Sequence, residues 1–248
     1  VLKAEESPLY TLGNSSMWQS LLHVSAGQSN NTKSNFLLSA SEFSAQKELE
    51  LTLELFSKTN NSQCKYPARA LWLSQQGVIN SPNFENCPYF LEFLEKVPLD
   101  NLYLVFSAEN LAQPSSMMGH ILIKTEGLDK NGNLAQYGIT YFTEIDSLNI
   151  PKTIYETMIS GSKGYFSLSP YEDNLHQYLN KEKRNVWEYQ LKLTDEQKQL
   201  IQYHIWELKG NAPTYFFTNY NCATLTNFVL SIANDSLLKT TDSWLTPL

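Results

Sequence analysis

Tyr215-Phe-Phe-Thr-Asn-Tyr-Asn-Cys-Ala-Thr-Leu-Thr-Asn-Phe-Val-Leu230 is the stretch on which the reading of this chain turns. Behind Cys222, the residues Leu225, Phe228, Val229 and Ile232 recur at helical spacing, so the cysteine opens a helix. A thiol in the first turn of a helix lies close to backbone N–H groups and to the positive end of the helix dipole. Both favour the thiolate, which is the nucleophilic form. Far upstream, Gly119-His120 leads into a short apolar strand, Ile121-Leu122-Ile123. Taken singly, Cys222 reads as an inert buried cysteine and His120 as a strand-end histidine bonded to a loop. Taken together, they supply the nucleophile and the base that thiol chemistry requires.

The rest of the chain sets the bounds. Its 248 residues are enough for a full core, and 42% hydrophobic with 17% charged residues is an ordinary globular composition. We therefore expect one domain over residues 1–248. A formal net charge of -7 argues against a nucleic-acid partner. No run of eighteen apolar residues occurs, so no bilayer span is expected. The start, Val1-Leu-Lys-Ala-Glu-Glu, carries no signal-peptide pattern.

Three cysteines are an odd number. Cys64 and Cys87 flank a helical segment and a turn-rich loop, which a disulfide can close with a gain of about 3 kcal/mol. That pairing leaves Cys222 as the free thiol. The alternative is a zinc site of two cysteines and a histidine. No Cys-x-x-Cys or His-x-x-x-His spacing supports it, so neither a metal nor another cofactor is expected.

Residues 1–100 read as mostly helical, with helices over 16–22, 44–57, 69–76 and 88–96. Residues 101–193 read mostly as strands over 102–107, 120–125, 134–142, 164–168 and 186–193. A helical crossover is expected at 151–160. Asp129-Lys-Asn-Gly-Asn133 is a turn signal that makes the second and third strands a hairpin. Thr194-Asp-Glu-Gln197 is a capping box opening a helix that Gly210 and Pro213 close. The expected fold is α+β: a mainly antiparallel sheet, the Cys222 helix packed across it, and an N-terminal helical layer.

Blocks spread along the chain resemble the periplasmic domain of the bacterial lipoprotein N-acyltransferases that use a cysteine. They are Trp18 with Leu21-Leu22-His23, Gln63-Cys-Lys-Tyr-Pro-Ala-Arg69, Asn110 through Gly119-His120, Arg184-Asn-Val-Trp-Glu-Tyr189, His204-Ile-Trp-Glu-Leu208, and the Cys222 stretch. The chain departs from the pattern at Asn185, where an acidic residue is expected, and in ending without a C-terminal membrane part. The order, with the nucleophile last, also resembles circularly permuted papain-like enzymes such as lecithin:retinol acyltransferase. The resemblance implies a permuted papain-like core in residues 101–248 and a periplasmic, membrane-associated location. It implies transfer of an acyl chain from a phospholipid donor, through a Cys222 thioester, to the N-terminal amine of a lipoprotein.

In that chemistry His120 is the base. Gln136, Tyr137, Thr140 and Glu144, on the strand after His120, are candidates to orient the imidazole, and the sequence does not choose among them. Tyr215, Tyr220, Asn221 and Ser116 are candidates for the oxyanion site or pocket, beside backbone N–H groups at the helix start. His23 and His204 read as packed structural residues and His176 as exposed. Arg69, Arg184 and Glu188 read either as an ion-pair network or, for the arginines, as a grip on a phosphate. The alternative function is a periplasmic papain-like cysteine amidase or peptidase acting on cell-wall peptide. A non-enzymatic binding module is the third reading.

Overall fold

The computed structural model describes residues 8–33, 35–59, 61–110, 119–144 and 149–242. The helices begin where local chemistry provides a start. Helix α1 is Pro8–Gly13, α2 is Ser16–Leu21, α3 is Ala45–Lys58, α4 is Pro67–Gln75 and α5 is Pro88–Lys96. Ser44 caps α3 by accepting from the Lys47 amide at 3.0 Å. Proline occupies the first turn of α4 and of α5, where its missing N–H costs no helical bond. The Cys64–Cys87 disulfide joins the chain just ahead of these two helices, and Cys222 is the free cysteine. A two-residue hairpin, β1 (Val24–Ser25) with β2 (Gln28–Ser29), interrupts the helical third.

The sheet is six-stranded and antiparallel, in the order β7-β3-β4-β5-β6-β8. Its strands are β3 (Asn101–Ser107), β4 (His120–Leu128), β5 (Leu134–Thr143), β6 (Ser162–Pro170), β7 (Val186–Leu191) and β8 (Thr214–Tyr215). The β4–β5 hairpin closes as its turn residues require. Asp129 Oδ1 accepts from the amides of Asn131 and Asn133, each at 2.8 Å, and Gly132 takes the positive φ of 78°. Helix α6 (Ile150–Tyr155) runs into a π-type turn, Glu156–Ser160, and forms the expected crossover. Helix α7 (Tyr171–Leu175) and its π-type continuation to Lys181 form the polar helix in which His176 is exposed, as its sequence suggests.

Alternation along the strands divides the sheet into two faces. Ile123, Ile139 and Tyr141 join the main core with Trp18, Leu49, Trp72, Ile201 and Phe228. That core therefore draws on both the N-terminal helices and the C-terminal ones, α8 (Asp195–Leu208) and α9 (Cys222–Ser231). On the opposite face Val105 and Leu122 pack with Tyr171 and Tyr178. The capping box of α8 is present: Thr194 Oγ1 accepts from the Gln197 amide, and Gln197 Oε1 accepts from the Thr194 amide at 2.8 Å. Among the described residues no helix is long and apolar enough to cross a membrane.

Candidate active site

Antiparallel pairing gathers one set of strand ends in a row. Val186 opens β7, Ser107 closes β3 and His120 opens β4, and these three are register partners. Beside them Thr143 closes β5, and Ser162, which opens β6, pairs with Tyr215 of β8. The short loop after β8 folds back, with the Phe216 amide donating to the Tyr220 carbonyl at 3.0 Å. It delivers Cys222 to this row at the first position of α9.

Asn221 makes the helix start. Its Oδ1 accepts from the Ala223 and Thr224 amides at 2.9 and 3.0 Å, and its Nδ2 donates to the Phe217 carbonyl at 2.8 Å. Its side chain is thus engaged in capping and loop closure. The β4–β5 ladder begins only at Ile123↔Ile139, so the sheet parts near its end. There the Ile121 amide, one peptide from His120, donates to the Cys222 sulfur. The amides of Ala223 and Cys222 itself add to this.

These donors favour the thiolate, as a helix start should, but they do not win. Cys222 is 3% exposed, and burial pushes its pKa up to about 11, against the combined pull of the amides and the Arg184 charge. The expectation of a thiol lowered by its helix position is corrected here. Desolvation of a buried anion exceeds what neutral dipoles and one nearby cation return.

His120 is half-buried, and the crowding around its ring lowers its pKa to about 4, with Arg184 lowering it further and Glu182 raising it. At neutral pH it is an uncharged imidazole. Its side chain follows Leu122 towards Tyr178, whose ring centre lies 6.1 Å away, while Ile123 turns to the α9 face. The thiol sits where the two faces meet. An ionised Cys222 would raise the Tyr141 and Tyr215 phenols on one side and the Tyr178 phenol on the other, all three being raised mainly by burial. Among the described residues no hydrogen bond joins the His120 ring to the sulfur in this resting arrangement.

Arg184 and Glu182 supply the charge that the sequence did not assign to the site. Arg184 Nη1 pairs with Glu182 at 2.7 Å, Nη2 donates to the Ser107 carbonyl at 2.9 Å, and Nε donates to the Ala108 carbonyl. Arg184 thus ties the loop before β7 to the end of β3, next to His120. The three charged residues weighed together in the sequence fall into separate networks. Arg69 pairs with Glu48 and Glu207, Arg184 with Glu182, and Glu188 with Lys124 at 2.8 Å.

The candidates for a third residue are spread along β5. Gln136 and Tyr137 lie opposite Glu126 and Thr125, at the far end of β4 from His120, and Gln136 is bonded to Glu126 at 2.6 Å. Glu144 is exposed beyond the end of β5. Thr140 is buried just beyond the Ile123↔Ile139 pair, and alternation with Ile139 and Tyr141 puts it on the face away from the main core, the face of His120 and Leu122. Tyr215 packs beside Tyr141, with ring centres 5.3 Å apart, near the thiol. The Tyr220 hydroxyl is turned away to His23 Nδ1, at 2.5 Å. Ser116, like Ser115, lies outside the described residues. An apolar hollow of about 680 Å³ beside the disulfide is lined by Pro88, Tyr89, Phe90 and Trp206 but not by Cys222 or His120. Among the described residues no cluster of three or more metal-binding side chains occurs.

Comparison with known proteins finds two matching segments. The family model of the Lnb N-terminal periplasmic domain matches residues 89–247, and a domain of unknown function (DUF7843) matches residues 10–76. No curated protein and no solved structure matches. The first match spans more than half of the chain and includes the whole six-stranded sheet, so the chain belongs to the Lnb N-terminal periplasmic domain family. It is a periplasmic domain, consistent with the Cys64–Cys87 disulfide, which persists in an oxidising compartment.

Proposed function

We propose that this periplasmic domain is a cysteine-dependent acyltransferase that moves an acyl chain from a phospholipid to the N-terminal amine of a lipoprotein. The observation that carries the reading is the free Cys222 thiol at a capped helix start, bonded by the amide next to His120, with that histidine held neutral. A thiol near 11 and an imidazole near 4 rest as a neutral pair. Proton transfer therefore accompanies attack rather than preceding it.

In the first half-reaction His120 takes the thiol proton as sulfur attacks the ester carbonyl. A C–S bond forms, the ester C–O bond breaks, and the proton leaves with the lysophospholipid hydroxyl. In the second, the lipoprotein amine attacks the thioester and gives its proton to His120. A C–N bond forms, the C–S bond breaks, and the thiol recovers the proton. The Cys222 amide at the helix start is a donor for the oxyanion of each tetrahedral intermediate. In this reading the α+β domain is a circularly permuted papain-like core, which the strand-start histidine and the late helix-start cysteine support.

The surface at this end of the sheet suits a lipid donor. Phe142 near the end of β5, Trp187 near the start of β7, and Tyr155, Met158 and Ile159 on the crossover into β6 are exposed, Ile159 by 67%. Aromatic and aliphatic side chains of this kind favour the interface of a bilayer. The test is intact-mass measurement of the protein after incubation with phospholipid vesicles, then with a diacylated lipoprotein peptide. We expect one acyl chain on Cys222, followed by its transfer to the peptide amine. Cleavage of a cell-wall peptide with no amine acylation would instead establish the amidase reading. Neither activity would leave a binding module.

A further inference from the structure

Behind the nucleophile loop lies a chain of buried ionisable groups that the acyl-transfer steps do not use. Tyr220 OH meets His23 Nδ1 at 2.5 Å, and His23 Nε2 meets His204 Nε2 at 2.9 Å. His204 Nδ1 then faces Glu207 Oε2 at 4.0 Å. Arg69 closes the far end. Its Nε lies 3.2 Å from Glu207, its backbone amide donates to Glu207 Oε1 at 3.0 Å, and its Nη1 pairs with Glu48 at 2.8 Å. His23, His204 and Arg69 are wholly buried. The His23 ring also stacks on Phe228 of α9, with centres 4.8 Å apart.

Hydrogen-bond chemistry gives this chain one direction. Glu207 Oε1 accepts from the Arg69 amide, and the Arg69 charge and the Ala68 amide favour the carboxylate form against its burial. His204 Nδ1, 4.0 Å from Glu207 Oε2, is beyond hydrogen-bond reach and has no other partner among the described residues; the nearby carboxylate favours hydrogen on that nitrogen, and a neutral His204 then has a bare Nε2. His23 must then donate from Nε2, which leaves its Nδ1 bare to accept from the Tyr220 hydroxyl. Burial beside the Arg69 charge holds both rings in the neutral form that this assignment needs.

The two ends of the chain belong to different parts of the protein. His23, Glu48 and Arg69 lie in the segment matched by the domain of unknown function, and His204, Glu207 and Tyr220 in the family domain. Tyr220 is two residues ahead of Cys222 and anchors the loop that carries it, through its carbonyl bond from Phe216 and its contact with Tyr141. We infer that the N-terminal segment of unknown function is a positioning element for the nucleophile: His23, oriented by His204, Glu207 and Arg69, holds Tyr220 and thereby sets the place of Cys222. The inference rests on reading Cys222 as the nucleophile. It assigns His23, His204 and Tyr220 as positioning residues, not catalytic ones.

The test uses the whole chain and needs no lipid. Histidine ¹⁵N spectra of the wild type at pH 7 are expected to show His23 neutral with hydrogen on Nε2 and His204 neutral with hydrogen on Nδ1. A charged ring or the opposite tautomers would overturn the chain. Labelling with ¹⁵N-cysteine gives three amide signals, with Cys64 and Cys87 as internal controls. Tyr220→Phe, which keeps the ring, should move the Cys222 amide and leave the other two in place. It should also change the rate of Cys222 alkylation by iodoacetamide about tenfold, the scale of one buried hydrogen bond. His23→Leu should do the same, and the double variant should be no worse than either single one, since both cut the same chain. An unmoved Cys222 amide with unchanged alkylation, or additive effects, would reduce these residues to packing. Should the spectra respond as expected in a protein that never transfers an acyl chain, the positioning role stands and the acyltransferase reading falls. Acyl transfer by a protein whose Cys222 signal ignores Tyr220→Phe gives the reverse.

Discussion

His120 and His204 are both kept neutral by burial, with pKa values lowered to about 4 and about 3, yet they stand in different kinds of place. His120 opens a strand, is half-buried, and has Arg184 and Glu182 beside it on a loop. His204 lies inside α8, is wholly buried, and has its Nε2 on His23. An imidazole at the end of an element retains a side from which a substrate can approach. One in the middle of a packed helix can only pass order to its neighbours. The same contrast separates the two arginines. Arg184 ties two loop carbonyls at the site, whereas Arg69 sits in the core between two buried carboxylates.

The sharpest way to break this comparison is through activity. Cys222→Ser and His120→Ala should each abolish amine acylation while changing unfolding free energy by no more than about 1 kcal/mol, since neither removes much core volume. They should fail at different steps: the first yields no thioester, and the second yields one very slowly, because the thiol near 11 has no base. Mass measurement of the protein and of the lipoprotein peptide reads both. A large loss of stability in His120→Ala would place that residue with His204 and erase the distinction.

Stability gives the converse. Arg69→Met strands Glu48 and Glu207 as buried charges and should cost about 3–5 kcal/mol. The measurement is the shift of the urea midpoint at constant slope. A cost near zero would mean that the two carboxylates are hydrated or protonated without Arg69.

The smallest effect expected is a pH slope. His23, His120 and His204 all have folded pKa values below the usual 6.5. Between about pH 6.5 and 4 the unfolded chain therefore binds more protons, and stability present above this window is lost as pH falls through it. Glu207, held up at about 7, has the opposite sign between its ordinary 4.5 and 7 and offsets one histidine. The unfolded chain therefore still binds the larger number of protons, and each histidine removed takes away a slope of at most about 1.4 kcal/mol per pH. Urea unfolding at successive pH values should show stability falling towards acid. His204→Gln should flatten the slope and His120→Ala should flatten it by a similar amount. A slope unchanged by either variant would contradict the burial of both rings.

Much of the fold was legible because its signals are local. The capping box at Thr194 and Gln197, the Asp129–Gly132 turn, the prolines that open α4 and α5, and the helical period behind Cys222 each act within a turn or two of the chain. Element ends shifted by a few residues, and the bounds of α7 were not legible because polar residues hide its period. The odd number of cysteines pointed to the Cys64–Cys87 pair, which the structure contains.

Within the site, a cysteine at a helix start and a histidine at a strand start were written in the sequence, whereas Asn221, read there as an oxyanion or pocket candidate, is the cap of the helix. What surrounds them was not. Arg184 reaches the Ser107 carbonyl across 77 positions, and His23 reaches His204 across 181. No periodicity records such meetings, because they depend on the path of the whole chain. The thiol's acidity belongs with them. The sequence supplied the helix-start amides that favour its charged form. Only the tertiary structure supplied the burial that outweighs them, because desolvation sums over every atom packed around the sulfur.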